Sequence, residues 1–277
     1  MGLKRVRPVV GLGKWHNAER GWLPDHRPSV SPQPPSGGVS TAGHLFEELG
    51  RWPSLTVALF AVTAAMNLAQ FVGPSLLTRL ERTPAELHGQ WWRIVTSLFV
   101  QDGGPLGAAS NLAFLLVLGV AAEQVLPRPR LLVQYFGVGM VSEVIGYLWQ
   151  PVGGGNSIAI CGLSGTLVVS LWRRDDRLPG FTEPTTLLWC AALLGTLSTR
   201  LYLPAIVAGV LAMRFLGRNR SRGLRTKRPT AAVVVLTMAV LVSCRNIHGA
   251  ALAFGLVLAL LTTANPTPGA SEGTWRQ

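Results

Sequence analysis

The 277-residue chain is poor in charged residues: Asp, Glu, Lys and Arg make up only 14% of it, against about a quarter in soluble domains. Apolar residues reach 48%, and the mean hydropathy is +0.34. Most of the charges lie in an N-terminal segment and in short spacers between long apolar runs. This pattern excludes an ordinary soluble domain and is typical of a protein that crosses a membrane several times.

Cysteine is also scarce. The three cysteines, Cys161, Cys190 and Cys244, have no metal-ligand spacing and allow at most one disulfide. Cys190 is expected to pack as a small apolar group, and Cys161 is an alternative nucleophile that the sequence favours less than a nearby serine.

Acidic residues are outnumbered by basic ones, which gives a net charge of +12. The basic side chains flank several apolar runs, and the aromatic residues are not interleaved with them. Contact with anionic lipid headgroups explains this distribution better than nucleic-acid binding does. The excess of Arg over Lys is typical of a GC-rich bacterial genome and favours the bacterial cytoplasmic membrane.

The chain is predicted to form three regions. Residues 1–53 are a Pro- and Gly-rich cytoplasmic tail without ordered structure, residues 54–265 are a transmembrane domain, and residues 266–277 are a short cytoplasmic tail. Eight apolar runs are predicted spans: 55–77, 106–126, 131–150, 157–172, 185–199, 203–217, 230–243 and 247–264.

The weakest part of this count is the segment 185–217, which could instead be one helix about 50 Å long. Tyr202 and Pro204 favour a turn near Arg200. With eight spans and a cytoplasmic N-terminus, most of the 25 Lys and Arg residues lie on the cytoplasmic side, as the positive-inside rule requires. A single helix would place the Arg218–Arg228 cluster outside.

Two polar residues in apolar runs indicate function. Of the five histidines, only His248 begins an apolar helix. Ser164 lies between Gly162 and Gly165, whose missing side chains let a substrate and another helix approach. The glycine-rich segment 151–157 is expected to dip into the membrane, so that amide N–H groups at a helix start can bind an oxyanion. Ser164 and His248 are predicted at similar depth; helix packing and helix capping are their alternative roles.

Taken in order, these motifs resemble the rhomboid family of intramembrane serine proteases. The resemblance covers roughly residues 91–172 and 230–264, and it implies an all-α polytopic membrane protein with a rhomboid-like six-helix core. Two extra transmembrane helices, 185–199 and 203–217, would lie between the serine helix and the histidine helix. The residues that carry the resemblance are Trp92-Arg93, Thr96-Ser97-Leu98-Phe99, Asn111, Gly119, Glu123, Gly162-Leu163-Ser164-Gly165, His248, Ala251 and Gly255.

The resemblance implies a role for each of these residues. Ser164 would be the nucleophile and His248 the general base of a dyad that hydrolyses peptide bonds in or next to transmembrane segments of other proteins. The Ser164 N–H and the Asn111 side chain would bind the oxyanion. Glu123 would be structural, and Trp92 with Arg93 would anchor the outer loop. No metal and no organic cofactor are implied. The expected partners are the lipid bilayer and a transmembrane protein substrate, with no nucleic acid, and the oligomeric state is open.

The chain also departs from the family at three positions. A histidine that commonly contributes to the oxyanion site is replaced by Gly107, a second loop histidine by Gln101, and an aromatic residue one turn after the serine by Val168. Losing one oxyanion donor costs on the order of 10²–10³ in turnover, which predicts a weakened protease. The alternative is a non-catalytic rhomboid-like protein that binds or routes membrane proteins.

Overall fold

The computed structural model describes residues 49–221 and 225–264. In these residues the regular structure is helical, with one isolated bridge between Arg82 and Gly153. The all-α fold predicted from the sequence is therefore confirmed. The tails predicted at 1–53 and 266–277 lie outside the described residues, apart from residues 49–53.

The α-helices of the described residues are α1 (Ser54–Val72), α2 (Ser75–Leu80), α3 (Arg93–Thr96), α4 (Gly104–Val125), α5 (Arg128–Leu132), α6 (Val138–Trp149), α7 (Ser157–Arg173), α8 (Thr182–Gly195), α9 (Thr199–Ser221), α10 (Lys227–Ser243) and α11 (Ile247–Ala264). A π-helical turn at Val133–Gly137 joins α5 to α6. Within the described residues, α1, α4 and the joined α5–α6 helix are long and apolar enough to cross a membrane, while α7 and α11 are shorter apolar helices. The eight-span count stays a prediction.

Helices α8 and α9 form a pair between the serine helix and the histidine helix. The turn between them lies at residues 196–198, earlier than the position near Arg200 that the sequence suggested, and Pro204 lies inside α9. The Thr196 hydroxyl donates to the Leu193 carbonyl at 2.6 Å, so a local side-chain bond closes the end of α8. Helix α8 packs against α4 and α10, and α9 packs on α8.

Helix α1 turns its polar side chains inward. Thr56, Thr63, Asn67 and Gln70 are buried, whereas large apolar side chains of the same helix such as Leu68 are exposed. These four positions recur at helical spacing and form one stripe along the helix. The stripe faces the protein, and the apolar side of α1 is left for lipid.

Glu123, near the end of α4, holds the start of α1. Its side chain is fully buried and accepts hydrogen bonds from the Leu55 N–H at 3.2 Å, the Thr56 N–H at 2.8 Å and the Thr56 hydroxyl at 2.8 Å. Two otherwise unpaired amides of the first turn are thereby satisfied. Gly119 lies one turn earlier, where a Cβ would stand 2.6 Å from Thr56 Cγ2.

We expect Glu123→Ala to lower the free energy of unfolding by about 2–3 kcal/mol, because it leaves buried donors without the charged acceptor they share. The matched control is Gln124→Ala at the next position. The Gln124 side chain forms hydrogen bonds with the Arg51 backbone at an exposed position, and its removal should lower the free energy of unfolding by only about 0.5–1 kcal/mol. The free energy of unfolding of both purified variants is measured by denaturation in detergent micelles. Equal losses would mean that Glu123 does not cap α1.

Helix α7 is the centre of the fold: every residue from Ile158 to Leu171 is buried, and its most extensive partner is α11. The two helices cross where Gly165 meets the Gly255 backbone, and a Cβ on Gly255 would lie 2.8 Å from the Gly162 carbonyl oxygen. The Gln134 amide donates to the carbonyls of Gly162 at 2.8 Å and Gly255 at 2.5 Å. Small residues thus let two backbones touch.

Candidate active site

The His248 imidazole contacts a serine, but the serine is Ser157 and not Ser164. His248 Nε2 lies 2.9 Å from Ser157 Oγ, and His248 Nδ1 lies 2.8 Å from Asn246 Oδ1. Ser157 is the first residue of α7 and His248 the second residue of α11. Both side chains are half-buried, so the pair stands where two helices begin side by side.

Ser164 lies deeper in the same helix. Its side chain is fully buried, and its hydroxyl donates to the Ile160 carbonyl at 3.0 Å. Seven residues of α-helix separate it from Ser157, which is about 10 Å along the axis. The predicted pairing of Ser164 with His248 is therefore not formed, and the correction is a shift of two helical turns towards the N-terminus of α7.

The helix crossing explains this shift. Gly165 and Gly255 meet at the crossing, and Ala251 is buried between this point and the start of α11. Ser157 precedes Gly165 by eight residues and His248 precedes Gly255 by seven, so both stand about two turns above the crossing. Ser164 stands beside the crossing itself. The segment Gly-Asn-Ser ending at Ser157 also fits a Gly-x-Ser pattern, and this spacing was the available signal for it.

A cavity of about 560 Å³ opens beside the Ser157–His248 pair. One wall is α4 and the loop before it, and the opposite wall is α8 with the turn that follows it. Neither Ser164 nor Cys161 borders it. The lining residues are Gln101, Asp102, Gly103, Leu106, Gly107, Ser110, Asn111, Ser157, Trp189, Ala192, Leu193, Gly195, Thr196 and His248.

The predicted oxyanion residue Asn111 is on this cavity and is held by Gln101. Asn111 Nδ2 donates to Gln101 Oε1 at 2.7 Å, and the Gln101 backbone exchanges two hydrogen bonds with the Gln70 side chain, at 2.6 and 2.8 Å. The Gln101 amide nitrogen lies 3.0 Å from where a Cβ on Gly107 would be. Gln101 thus fills the space that Gly107 leaves.

The segment before α4 is anchored by Arg93. Its guanidinium donates to the carbonyls of Thr78 at 3.0 Å and Glu81 at 2.7 Å and to the Gln90 side chain at 2.6 Å. Trp92 is 43% exposed, so Arg93 makes the inward contacts of this pair. Burial raises the pKa of the Glu81 carboxyl, the Asp102 carboxylate raises it further, and Arg93 lowers it.

A buried ion pair ties this segment to the start of α11. Arg82 pairs with Glu143 of α6, and both side chains are almost fully buried. Arg82 Nε also donates to the Gln150 carbonyl at 3.0 Å, and the Gln150 side chain accepts from the Ile247 N–H at 3.0 Å. Removing one partner of such a pair costs about 3–5 kcal/mol. Ile247, which precedes His248, is therefore held by Gln150, a residue outside α11.

A family model described as the Rhomboid domain matches residues 88–219. The matched range contains Asn111, Ser157 and Ser164, and it ends before His248, which the fold brings to Ser157. No curated protein matches this chain.

Proposed function

Because this chain carries a rhomboid domain, and so belongs to the rhomboid family, we propose that it is an intramembrane serine protease with Ser157 as nucleophile and His248 as general base. The observation that carries the proposal is the 2.9 Å contact between Ser157 Oγ and His248 Nε2 beside a cavity of about 560 Å³. A nucleophile within hydrogen-bond reach of its base is the geometry that acyl transfer needs.

The reaction proceeds through an acyl-enzyme. Ser157 Oγ attacks the carbonyl carbon of the scissile peptide bond while its proton passes to His248 Nε2. The tetrahedral intermediate collapses, the C–N bond breaks, and His248 gives the proton to the leaving amine. A water then attacks the ester with His248 again as base, which releases the new carboxylate and restores the Ser157 hydroxyl.

The oxyanion has donors on two sides. The amides of the first turn of α7 have no partner within the helix and lie at the positive end of its dipole, and the Ser157 N–H is the first of them. Asn111 Nδ2 keeps a second N–H besides the one given to Gln101. The side-chain amide of Gln101 occupies the space beside Gly107, which supports it as the replacement for the family's histidine.

The substrate class follows from the surroundings of the site. The fold belongs in a lipid bilayer, so a polypeptide that reaches Ser157 comes from a transmembrane segment or from chain next to one. Arg173 and Arg174 at the far end of α7, with Lys227 and Arg228 at the start of α10, lie at the end of the helices opposite Ser157. The positive-inside rule then supports a site near the non-cytoplasmic face of the bacterial cytoplasmic membrane.

A fluorophosphonate probe tests the proposal in the full-length protein in liposomes. We expect wild-type protein to form a covalent adduct, with the modified peptide containing Ser157. His248→Ala should reduce labelling to background, because the hydroxyl loses the base that takes its proton.

A folded wild-type protein that is not labelled, under conditions where another serine hydrolase reacts, would overturn the proposal. That result would favour the non-catalytic alternative, in which the cavity binds membrane proteins without cleaving them. Thermal melting of both proteins verifies that they are folded.

A further inference from the structure

His248 is held by a residue that the proposed dyad does not include. Asn246 is 5% exposed, and its Oδ1 lies 3.0 Å from the His248 backbone nitrogen and 2.8 Å from His248 Nδ1. Its Nδ2 lies 3.3 Å from Thr196 Oγ1, in the turn between α8 and α9. A line of polar contacts therefore runs from this turn through Asn246 and His248 to Ser157.

The Thr196 hydroxyl and the His248 backbone N–H decide which group donates and which accepts in each of these hydrogen bonds. The Thr196 hydroxyl donates to the Leu193 carbonyl at 2.6 Å, so towards Asn246 its oxygen accepts, and the Asn246 group facing it is the NH₂. Asn246 Oδ1 then accepts from the His248 backbone N–H, which can only donate. The same oxygen faces His248 Nδ1, and an acceptor there requires Nδ1 to carry the proton.

Protonation of Nδ1 determines the state of the other ring nitrogen, Nε2. A neutral imidazole protonated at Nδ1 has its lone pair on Nε2, and Nε2 is the atom 2.9 Å from Ser157 Oγ. We propose that Asn246 is a positioning residue that fixes the His248 tautomer and ring orientation, which makes the site a Ser157–His248–Asn246 triad. This inference rests on the proposed function.

Helix capping alone does not account for Asn246. Its bond to the His248 N–H is an N-cap interaction, and Ser or Asp can replace Asn in that role at similar stability. The contact with Nδ1 needs an acceptor at the end of a longer side chain. Asn246→Ser therefore keeps a cap and loses the contact with the ring, whereas Asn246→Asp keeps an oxygen at the same reach.

Kinetics of fluorophosphonate labelling separate these roles in full-length protein. We expect Asn246→Ser to lower the maximal inactivation rate about 100-fold, since an unfixed imidazole also populates the wrong tautomer. The probe concentration at half-maximal rate and the thermal midpoint should stay close to wild type. Asn246→Asp should restore the rate to within about tenfold of wild type.

A second measurement does not depend on activity. In protein labelled with ¹⁵N at histidine, the His248 resonances should report Nδ1 as the protonated nitrogen in wild type and a mixture of tautomers in Asn246→Ser. Assignment uses His248→Gln, in which these resonances disappear.

The outcomes are distinct. Wild-type labelling at Ser157 with an unchanged rate in Asn246→Ser would overturn the positioning role and leave the proposed function standing. Three other results would also overturn the positioning role alone. They are a loss confined to probe binding, an Asn246→Asp variant as slow as Asn246→Ser, and a wild-type imidazole protonated at Nε2. Failure of wild type to label would overturn the proposed function and the triad with it.

Discussion

Ser157→Ala should abolish fluorophosphonate labelling and lower peptide-bond hydrolysis on the order of 10⁶-fold, the loss that follows removal of a catalytic serine. Ser164→Ala should remain within about threefold of wild type, because its hydroxyl bonds only the Ile160 carbonyl of its own helix and contributes little there. Fluorophosphonate labelling of both variants is measured in the same type of liposome by in-gel detection and peptide mapping. The experiment compares two serines of one helix.

The reverse result would restore the interpretation suggested by the sequence. Labelling lost in Ser164→Ala and kept in Ser157→Ala would require α7 to slide by two turns against α11, which the glycine contact at Gly165 and Gly255 does not permit. Ser157→Cys serves as a further control. A thiol at this position should react with iodoacetamide when His248 is present and more slowly in the His248→Ala background.

Gly165→Val should destabilise the protein by about 3 kcal/mol, at the upper end of the range for overpacking. A Cβ there would overlap backbone atoms of Gly255 and Leu256, which cannot move aside as the end of a flexible side chain could. Helices α7 and α11 must separate, so Ser157 and His248 move apart and labelling falls as well. The thermal midpoint in detergent micelles and the labelling rate are the two measurements.

The matched control for Gly165→Val is Gly217→Ala in α9, where a Cβ would meet nothing within 4 Å. It should leave the midpoint unchanged or raise it slightly, because alanine is favoured over glycine in a helix by about 1 kcal/mol. A wild-type midpoint and labelling rate in Gly165→Val would show that the two helices do not rely on this crossing.

Hydropathy was sufficient to predict the all-α fold and its long apolar helices, but not the short helices α2 and α3. Long apolar runs separated by charged spacers leave few alternatives to membrane helices, and α4 and α7 begin within two residues of their predicted starts. The turn between α8 and α9 was placed too late, because a proline within the first turns of a helix and a local threonine bond give weaker signals than a change in hydropathy.

The serine of the site was harder to identify than the histidine. His248 was the one histidine that begins an apolar helix, whereas Ser157 and Ser164 each follow a Gly-x pattern in the same apolar run. Which of them meets His248 depends on where α7 crosses α11, and that is decided by contacts between residues far apart in sequence. The contacts of Gln101 with Asn111 and of Asn246 with His248 depend on side-chain directions, which no local pattern specifies.

The inward polar stripe of α1 has a consequence for how the protein is made. During synthesis α1 leaves the ribosome before α4, so Glu123 is not yet present when Thr56 enters the bilayer. Until the segment before α4 docks, the Gln70 carboxamide lacks the Gln101 backbone with which it exchanges hydrogen bonds, and the Asn67 carboxamide has only the Thr63 carbonyl of its own helix. Hydrocarbon supplies neither side chain with a partner. Helix α1 is thus not an independent anchor: its stable insertion depends on a later part of the chain, and biogenesis of the membrane domain is cooperative.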